Sequence, residues 1–132
     1  MNVKDLLSLK NKVILVTGGS GRYGKCMVEG LAEADATVIT SSRDLASAKE
    51  TAAIYAKQGF DVHAMQVDQS VHESVILLKK EIFEKFGRLD GFINNAVSRP
   101  MKGYNAPLSQ FEESMQTNAT GMMDLLREMT AL

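Results

Sequence analysis

The chain has 132 residues, of which 45% are hydrophobic and 23% charged, ordinary values for a single globular domain. Fifteen Lys and Arg residues against sixteen Asp and Glu residues give a net charge of −1, so we expect no nucleic-acid partner. The sequence has no apolar run that could span a membrane and no signal-peptide core, so we expect a cytoplasmic protein that does not bind a membrane. It has only one cysteine, Cys26, so we expect neither a disulfide within the chain nor a bound metal.

Strands and helices alternate four times along the chain. Short runs rich in apolar and β-branched residues predict strands at Lys12–Thr17, Thr37–Thr40, Val62–Val67 and Gly91–Asn94. Apolar residues at helical spacing predict helices at Gly24–Ala34, Asp44–Gln58, Ser70–Phe86 and from about Ser109 to the end. Because this alternation is typical of βαβ units, the sequence predicts an α/β fold in one domain, residues 1–132, with a Rossmann-like, doubly wound parallel sheet.

Glycines and capping residues predict where these helices begin and end. Gly59 and Gly87 stand where a left-handed C-terminal cap is common. Capping boxes are predicted at the start of the last two helices by the pairs Ser70–Glu73 and Ser109–Glu112. Asp35 follows the first helix at a position where glycine is common, and a positive φ there would cost some stability.

The first predicted strand runs directly into a glycine-rich segment, residues 17–24 (TGGSGRYG). This segment contains the G-x-G-x-x-G pattern between a strand and a helix, which is the context of a dinucleotide site. Glycines let the backbone approach a pyrophosphate, and the helix N-terminus supplies free N–H groups and the positive end of its dipole. We therefore expect a cofactor to be bound by Gly18, Ser20, Gly21, Arg22, Tyr23 and Gly24.

The end of the second predicted strand indicates which dinucleotide is bound. NAD sites usually carry an acidic residue there, which binds the ribose 2′-hydroxyl. This chain has Ser42 and Arg43 instead, and a guanidinium can form bidentate bonds to a 2′-phosphate. Arg22 adds a second positive charge, whereas Asp44 argues for NAD unless it caps the next helix. We expect NADP as the cofactor, with NAD as the alternative.

Four motifs in order resemble one known family. They are the glycine turn, Asp68 in VDQS after the third predicted strand, Asn-Asn-Ala at 94–96 after the fourth, and Asn118 in QTNATG. From about Asn11 to Leu132 the sequence resembles the short-chain dehydrogenase/reductase family, and the resemblance covers the N-terminal half of that family's fold.

The resemblance implies a strand order of 3-2-1-4, in a sheet truncated after the fourth strand and its following helix. It also implies a catalytic role for Asn118, which would order a proton relay. The adenosine side of the cofactor is expected to contact Asp68, Gln69, Asn95, Ala96 and Val97.

The activity implied by the resemblance is hydride transfer between NADP(H) and a small alcohol or ketone, such as a sugar or polyol derivative, in a homo-oligomer. This family uses a Ser and a Tyr-x-x-x-Lys pair for proton transfer. None of the three tyrosines in this chain is followed four residues later by lysine. We therefore expect the catalytic Ser, Tyr and Lys beyond residue 132.

Two other functions are compatible with the sequence. A dinucleotide-binding domain without these catalytic residues could be a regulatory or interaction module. The second alternative concerns the glycine turn, because Arg22 stands where the classical branch of the family has its middle glycine. Gly21 instead fits the spacing of the extended branch, which includes epimerases and dehydratases.

Overall fold

A computed structural model describes residues 1–132 as one parallel sheet with helices on both faces. In chain order the elements are α1 (Val3–Leu7), β1 (Val13–Thr17), α2 (Arg22–Glu33), β2 (Thr37–Ser42), α3 (Leu45–Ala56), β3 (Val62–Gln66), α4 (His72–Phe86), β4 (Gly91–Ile93), α5 (Leu108–Met115), a π-helical turn (Gln116–Thr120) and α6 (Gly121–Met129). The strand order is β3-β2-β1-β4, and all pairs are parallel. The predicted Rossmann-like fold and strand order are confirmed.

The central strand β1 is buried along its whole length, because helices cover both faces of the sheet. On one face Leu15 belongs to a core cluster that includes Leu78 of α4 and Leu125 of α6. On the other face Val16 packs in a cluster with residues of α2 and α3, among them Val28. Burial on both faces explains why the strand reads as an unbroken apolar run instead of an alternating one.

Both predicted capping boxes are wrong. Helix α4 begins at His72 with Val71 as its N-cap, because the Ser70 hydroxyl donates to Asp68 Oδ1 at 2.6 Å and is used in the preceding turn. Helix α5 begins at Leu108 after Pro107, so Ser109 lies inside its first turn. In contrast, Asp44 does cap α3, because its carboxylate accepts a bond from the Ala46 N–H.

The backbone has a positive φ at Gly87 and Gly59, the two predicted cap glycines, and at Asp35. Gly87 caps α4 with a φ of 71°, and Gly59 has a φ of 88°, although α3 already ends at Ala56. Asp35 has a φ of 71°, so a non-glycine residue occupies the left-handed region after α2. This conformation is unfavourable for residues that carry a Cβ.

Two elements were not predicted from the sequence. The short helix α1 has a capping box between Asn2 and Asp5. The predicted final helix is interrupted by the π-helical turn, which carries Asn118. No helix in the chain combines the length and apolar character that crossing a bilayer would require.

Candidate cofactor site

A cavity of about 380 Å³ opens at the carboxyl ends of β1, β2 and β4. This is where parallel α/β sheets bind their ligands. The lining residues are Gly18, Ser20, Gly21, Arg22, Tyr23, Ser41, Ser42, Arg43, Val67, Gln69, Asn95, Ala96, Val97, Ser98, Arg99 and Thr117.

The glycine turn is close-packed against the protein itself at three positions. Gly18 has a φ of 66°, and a Cβ added there would lie 3.0 Å from the Ala96 Cα. A Cβ on Gly19 would overlap the Thr40 hydroxyl, and one on Gly24 would overlap the Gly18 carbonyl. The turn therefore needs these glycines before any ligand is considered.

The middle position of the turn makes no such demand. Gly21 has an ordinary φ of −74°, and a Cβ there would meet only the Gly18 carbonyl, at 3.3 Å. Arg22 begins α2 with an exposed side chain. The glycine patterns of the classical and extended branches share Gly18 and Gly24. They differ in whether the middle glycine stands at position 22 or 21, and the backbone of this protein requires a glycine at neither.

The N-terminus of α2 offers unpaired donors to the cavity. Gly21 is its N-cap and has no side chain to bond the first turn. The backbone N–H groups of Arg22, Tyr23 and Gly24 donate to no backbone acceptor. Free N–H groups at the positive end of a twelve-residue helix form a favourable site for an anion.

The charge of the cavity wall is entirely positive. Arg22, Arg43 and Arg99 line it, and no Asp or Glu does. Asp44 is not in the wall, because its carboxylate caps α3 through the Ala46 N–H at 3.0 Å. Ser42 Oγ accepts the Asp44 N–H at 3.2 Å, which fixes this hydroxyl beside Arg43.

The opposite wall is tied to the glycine turn by hydrogen bonds. Thr17 Oγ1 accepts the N–H groups of Asn95 at 3.0 Å and Ala96 at 3.1 Å. The Asn95 side chain donates to the Gly18 carbonyl at 3.1 Å. These bonds place the Asn-Asn-Ala segment after β4 directly across from the turn after β1.

The π-helical turn is hydrogen-bonded to two loops. Asn118 donates to the Ser98 carbonyl at 2.7 Å and accepts the Ser98 N–H at 2.8 Å. Gln69 Nε2 donates to the Thr117 carbonyl at 2.8 Å. The turn that carries Asn118 is therefore connected to the loops after β3 and β4.

Most of the predicted site residues line one cavity, but three do not. Gly24 packs beneath the turn, and Asn118 acts on the wall through Ser98. Asp68 does not line the cavity, and its Oδ1 accepts the Ser70 N–H and hydroxyl.

Five lining residues were not among the predicted site residues: Ser41, Val67, Ser98, Arg99 and Thr117. Four of them adjoin a predicted site residue in the sequence, which was the available signal. Arg99 does not adjoin a predicted site residue, because Ser98 separates it from Val97.

The wall contains polar groups that the protein leaves unpaired. Ser41 Oγ and Gln69 Oε1 are buried and have no hydrogen-bond partner. The free N–H groups of α2 and the close-packed glycines fit a polar, anionic ligand such as a phosphorylated dinucleotide. No group of His, Cys, Asp and Glu side chains is arranged to hold a metal ion.

The tyrosine with a perturbed pKa lies outside the cavity. Burial raises the pKa of Tyr55, and its hydroxyl donates to the Lys25 carbonyl at 3.0 Å, between α3 and α2. A buried tyrosine with a raised pKa and no cationic partner is a poor proton carrier near neutral pH. Tyr55 is therefore a packing residue.

The family model described as short chain dehydrogenase matches residues 12–132. The chain therefore belongs to the short-chain dehydrogenase family. Its relatives in this family are oxidoreductases.

Individual relatives are similar to this chain over about half of their own length. An NADP-dependent mannitol dehydrogenase of Aureobasidium melanogenum is 34% identical over 123 residues, which are 89% of this chain and 46% of the relative. The same-named enzyme of Alternaria alternata is 33% identical, over 95% of this chain and 49% of the relative. The active-site complex of Pseudomonas aeruginosa RhlG with NADP has a TM-score of 0.86 and 31% identity, over 94% of this chain and 48% of that one.

Proposed function

We propose that this chain is the NADP(H)-binding part of a short-chain oxidoreductase that interconverts an alcohol and a ketone. The observation that carries the proposal is the cavity wall, where Arg22 and Arg43 lie beside the free N–H groups of α2 and no carboxylate is present. The names of the NADP-dependent relatives support the same cofactor.

Each part of the cofactor has a proposed partner in the cavity. The backbone N–H groups of residues 22–24 would bind the pyrophosphate. Arg43, with Ser42 beside it and Arg22 across the turn, would bind the 2′-phosphate. When bound, the nicotinamide supplies hydride chemistry, and the chain's own residues orient it. The loops after β3 and β4 would hold the adenosine side through the lining residues Gln69, Asn95, Ala96 and Val97. Asp68 is proposed to support this side from outside the cavity wall, through the turn that it forms with Ser70.

Asn118 is proposed to belong to the catalytic group. Its two bonds to Ser98 hold the loop after β4 at the cavity, and the π-helical turn places it at the break between α5 and α6. The Ser, Tyr and Lys that complete proton transfer in this family are proposed to lie outside these 132 residues. The mannitol dehydrogenases among the relatives favour a sugar or polyol as the substrate.

A homo-oligomer is proposed from the apolar surface of α5 and α6. Large side chains that are between 38% and 76% exposed on these helices are Leu108, Phe111, Met115, Met123 and Leu126. Exposed apolar surface of this kind is typical of subunit contacts. Light scattering on the purified chain at several concentrations gives its mass in solution.

The substitution Arg43→Ala tests the choice of cofactor. It should weaken NADPH binding by roughly 1–3 kcal/mol, because a charge-assisted bond to the 2′-phosphate is lost. NADH has no 2′-phosphate, so its affinity should hardly change. Titration calorimetry on the 132-residue chain measures both.

The matched control is Arg127→Ala, which removes an exposed arginine of α6 that does not line the cavity. It should leave both affinities unchanged. Equal losses for NADPH and NADH in Arg43→Ala would contradict the proposed 2′-phosphate site.

A further inference from the structure

A second cavity of about 820 Å³, which we name the vestibule, adjoins the cofactor cavity. Its wall includes four cationic side chains, Arg22, Arg43, Arg99 and Lys102, and one carboxylate, Glu113. None of the four cations forms an ion pair with any carboxylate of the protein. Such a concentration of unpaired positive charge at one opening attracts anions.

Two of these cations already have a partner in the proposed function. Arg22 begins α2 and Arg43 follows β2, where the 2′-phosphate is proposed to bind. Arg99 and Lys102 come from the loop after β4 on the other wall. Lys102 does not line the cofactor cavity at all, so the phosphates of the cofactor do not account for it.

Arg99 is connected through Ser98 to Asn118, the proposed catalytic residue. Arg99 directly follows Ser98, whose backbone N–H and carbonyl are both bonded by Asn118, at 2.8 and 2.7 Å. The residue proposed for the proton relay therefore fixes the backbone at the base of Arg99. An anion bound by Arg99 would therefore lie next to the segment that Asn118 holds in place.

The vestibule also presents apolar surface next to these charges. Tyr23 is 73% exposed and Val97 is 55% exposed, and both line the vestibule. A carbon chain could pack on these two side chains while its charged end reaches Arg99 and Lys102. Small-molecule sites commonly combine apolar surface with a few fixed polar groups in this way.

We infer that Arg99 and Lys102 select a substrate that carries an anionic group, a carboxylate or a phosphate, in addition to the alcohol or ketone. The inference rests on the proposed function, because it names the substrate class for the same site. It separates the cations of the vestibule into a cofactor pair, Arg22 and Arg43, and a substrate pair, Arg99 and Lys102.

The test uses the 132-residue chain saturated with NADPH, so that the 2′-phosphate site is filled. Three probes with the same six-carbon skeleton are titrated by calorimetry: mannitol, gluconate and mannitol 1-phosphate. At least one anionic probe should bind about tenfold or more tightly than mannitol, and the difference should shrink at high salt. The stronger of the two anionic probes identifies carboxylate or phosphate.

The double variant Arg99→Ala/Lys102→Ala should remove this preference when it is titrated at saturating NADPH, whose affinity is measured first because Arg99 also lines the cofactor cavity. Both side chains are exposed, so the variant is expected to fold, and its far-UV circular dichroism checks this. Equal binding of all three probes, or binding of none, would overturn the inference even without the variant. A preference that survives in the double variant would overturn it as well.

The two proposals fail in different ways. If NADPH does not bind to the unmodified chain, the proposed function fails, and the inference fails with it. If NADPH binds and depends on Arg43, but the anionic probes show no preference, only the inference fails.

Discussion

Two glycines six residues apart in α2 have opposite roles. A Cβ on Gly24 would overlap the Gly18 carbonyl and lie 2.7 Å from the Gly19 Cα. A Cβ on Gly30 would meet no atom within 4 Å. We expect Gly24→Ala to destabilise the fold by at least about 2 kcal/mol, because the glycine turn must move away. Gly30→Ala should stabilise it by about 0.5–1 kcal/mol, because alanine favours the helix.

Urea unfolding of the two variants and the unmodified chain measures both effects. Since the substitution is the same and the helix is the same, the difference reports on the close approach at Gly24 alone. Similar stability changes in the two variants would show that the glycine turn is not packed against Gly24. NADPH binding should be lost in Gly24→Ala and retained in Gly30→Ala.

Helices α4 and α6 are joined by two polar pairs, and one of them contains a histidine. Lys79 Nζ lies 2.7 Å from Glu128 Oε2, and His72 Nδ1 lies 2.9 Å from Asp124 Oδ2. The hydrogen bond to Asp124, followed by the charge of that carboxylate, raises the pKa of His72. A raised pKa means that the folded state holds the proton more tightly than the unfolded state does.

The stability contributed by His72 is therefore fully present below the ordinary histidine pKa of about 6.5. It is lost as the pH rises through the higher pKa of the folded state. Between pH 5.5 and 8.5 the unmodified chain should lose more stability than His72→Gln, as measured by urea unfolding at each pH. Lys79→Met is the control, because it removes the other pair and keeps the histidine, so its pH dependence should match that of the unmodified chain. Equal pH dependence in His72→Gln would contradict the role of this pair.

The elements that could be predicted are those fixed by burial. Strand β1 is buried at every residue and helix α4 at residues three or four apart, so both apolar patterns are visible in the sequence. The capping boxes failed because a serine such as Ser70 has several possible partners, and only the folded chain shows that it bonds Asp68. The π-helical turn depends on bonds to Ser98 and Gln69, which are distant in the sequence.

At the scale of the whole molecule, the cofactor site could be predicted because each of its motifs follows a strand of a parallel sheet. The carboxyl ends of β1, β2 and β4 meet at one edge, so residues after each strand converge there. Arg99 could not be predicted in this way, because it belongs to a loop whose course depends on the bonds between Asn118 and Ser98. The positive charge of the cavity wall could not be predicted from one motif either, because its three arginines come from three separate segments of the chain.

The same whole-molecule argument predicts cofactor binding without turnover by this chain alone. NADPH at about 100 times its dissociation constant should raise the free energy of unfolding by about 2.7 kcal/mol, because only the folded cavity binds it. None of the three tyrosines has a lysine four residues later, and Tyr55 is buried away from the cavity. With no tyrosine–lysine pair to pass a proton, NADPH consumption with ketone substrates should stay at the rate without protein.

Urea unfolding with and without NADPH measures the stabilisation, and absorbance of the reduced nicotinamide measures the consumption. Stabilisation without consumption is the expected pair of results, whereas consumption by the purified chain would show that its proton donor lies within these 132 residues.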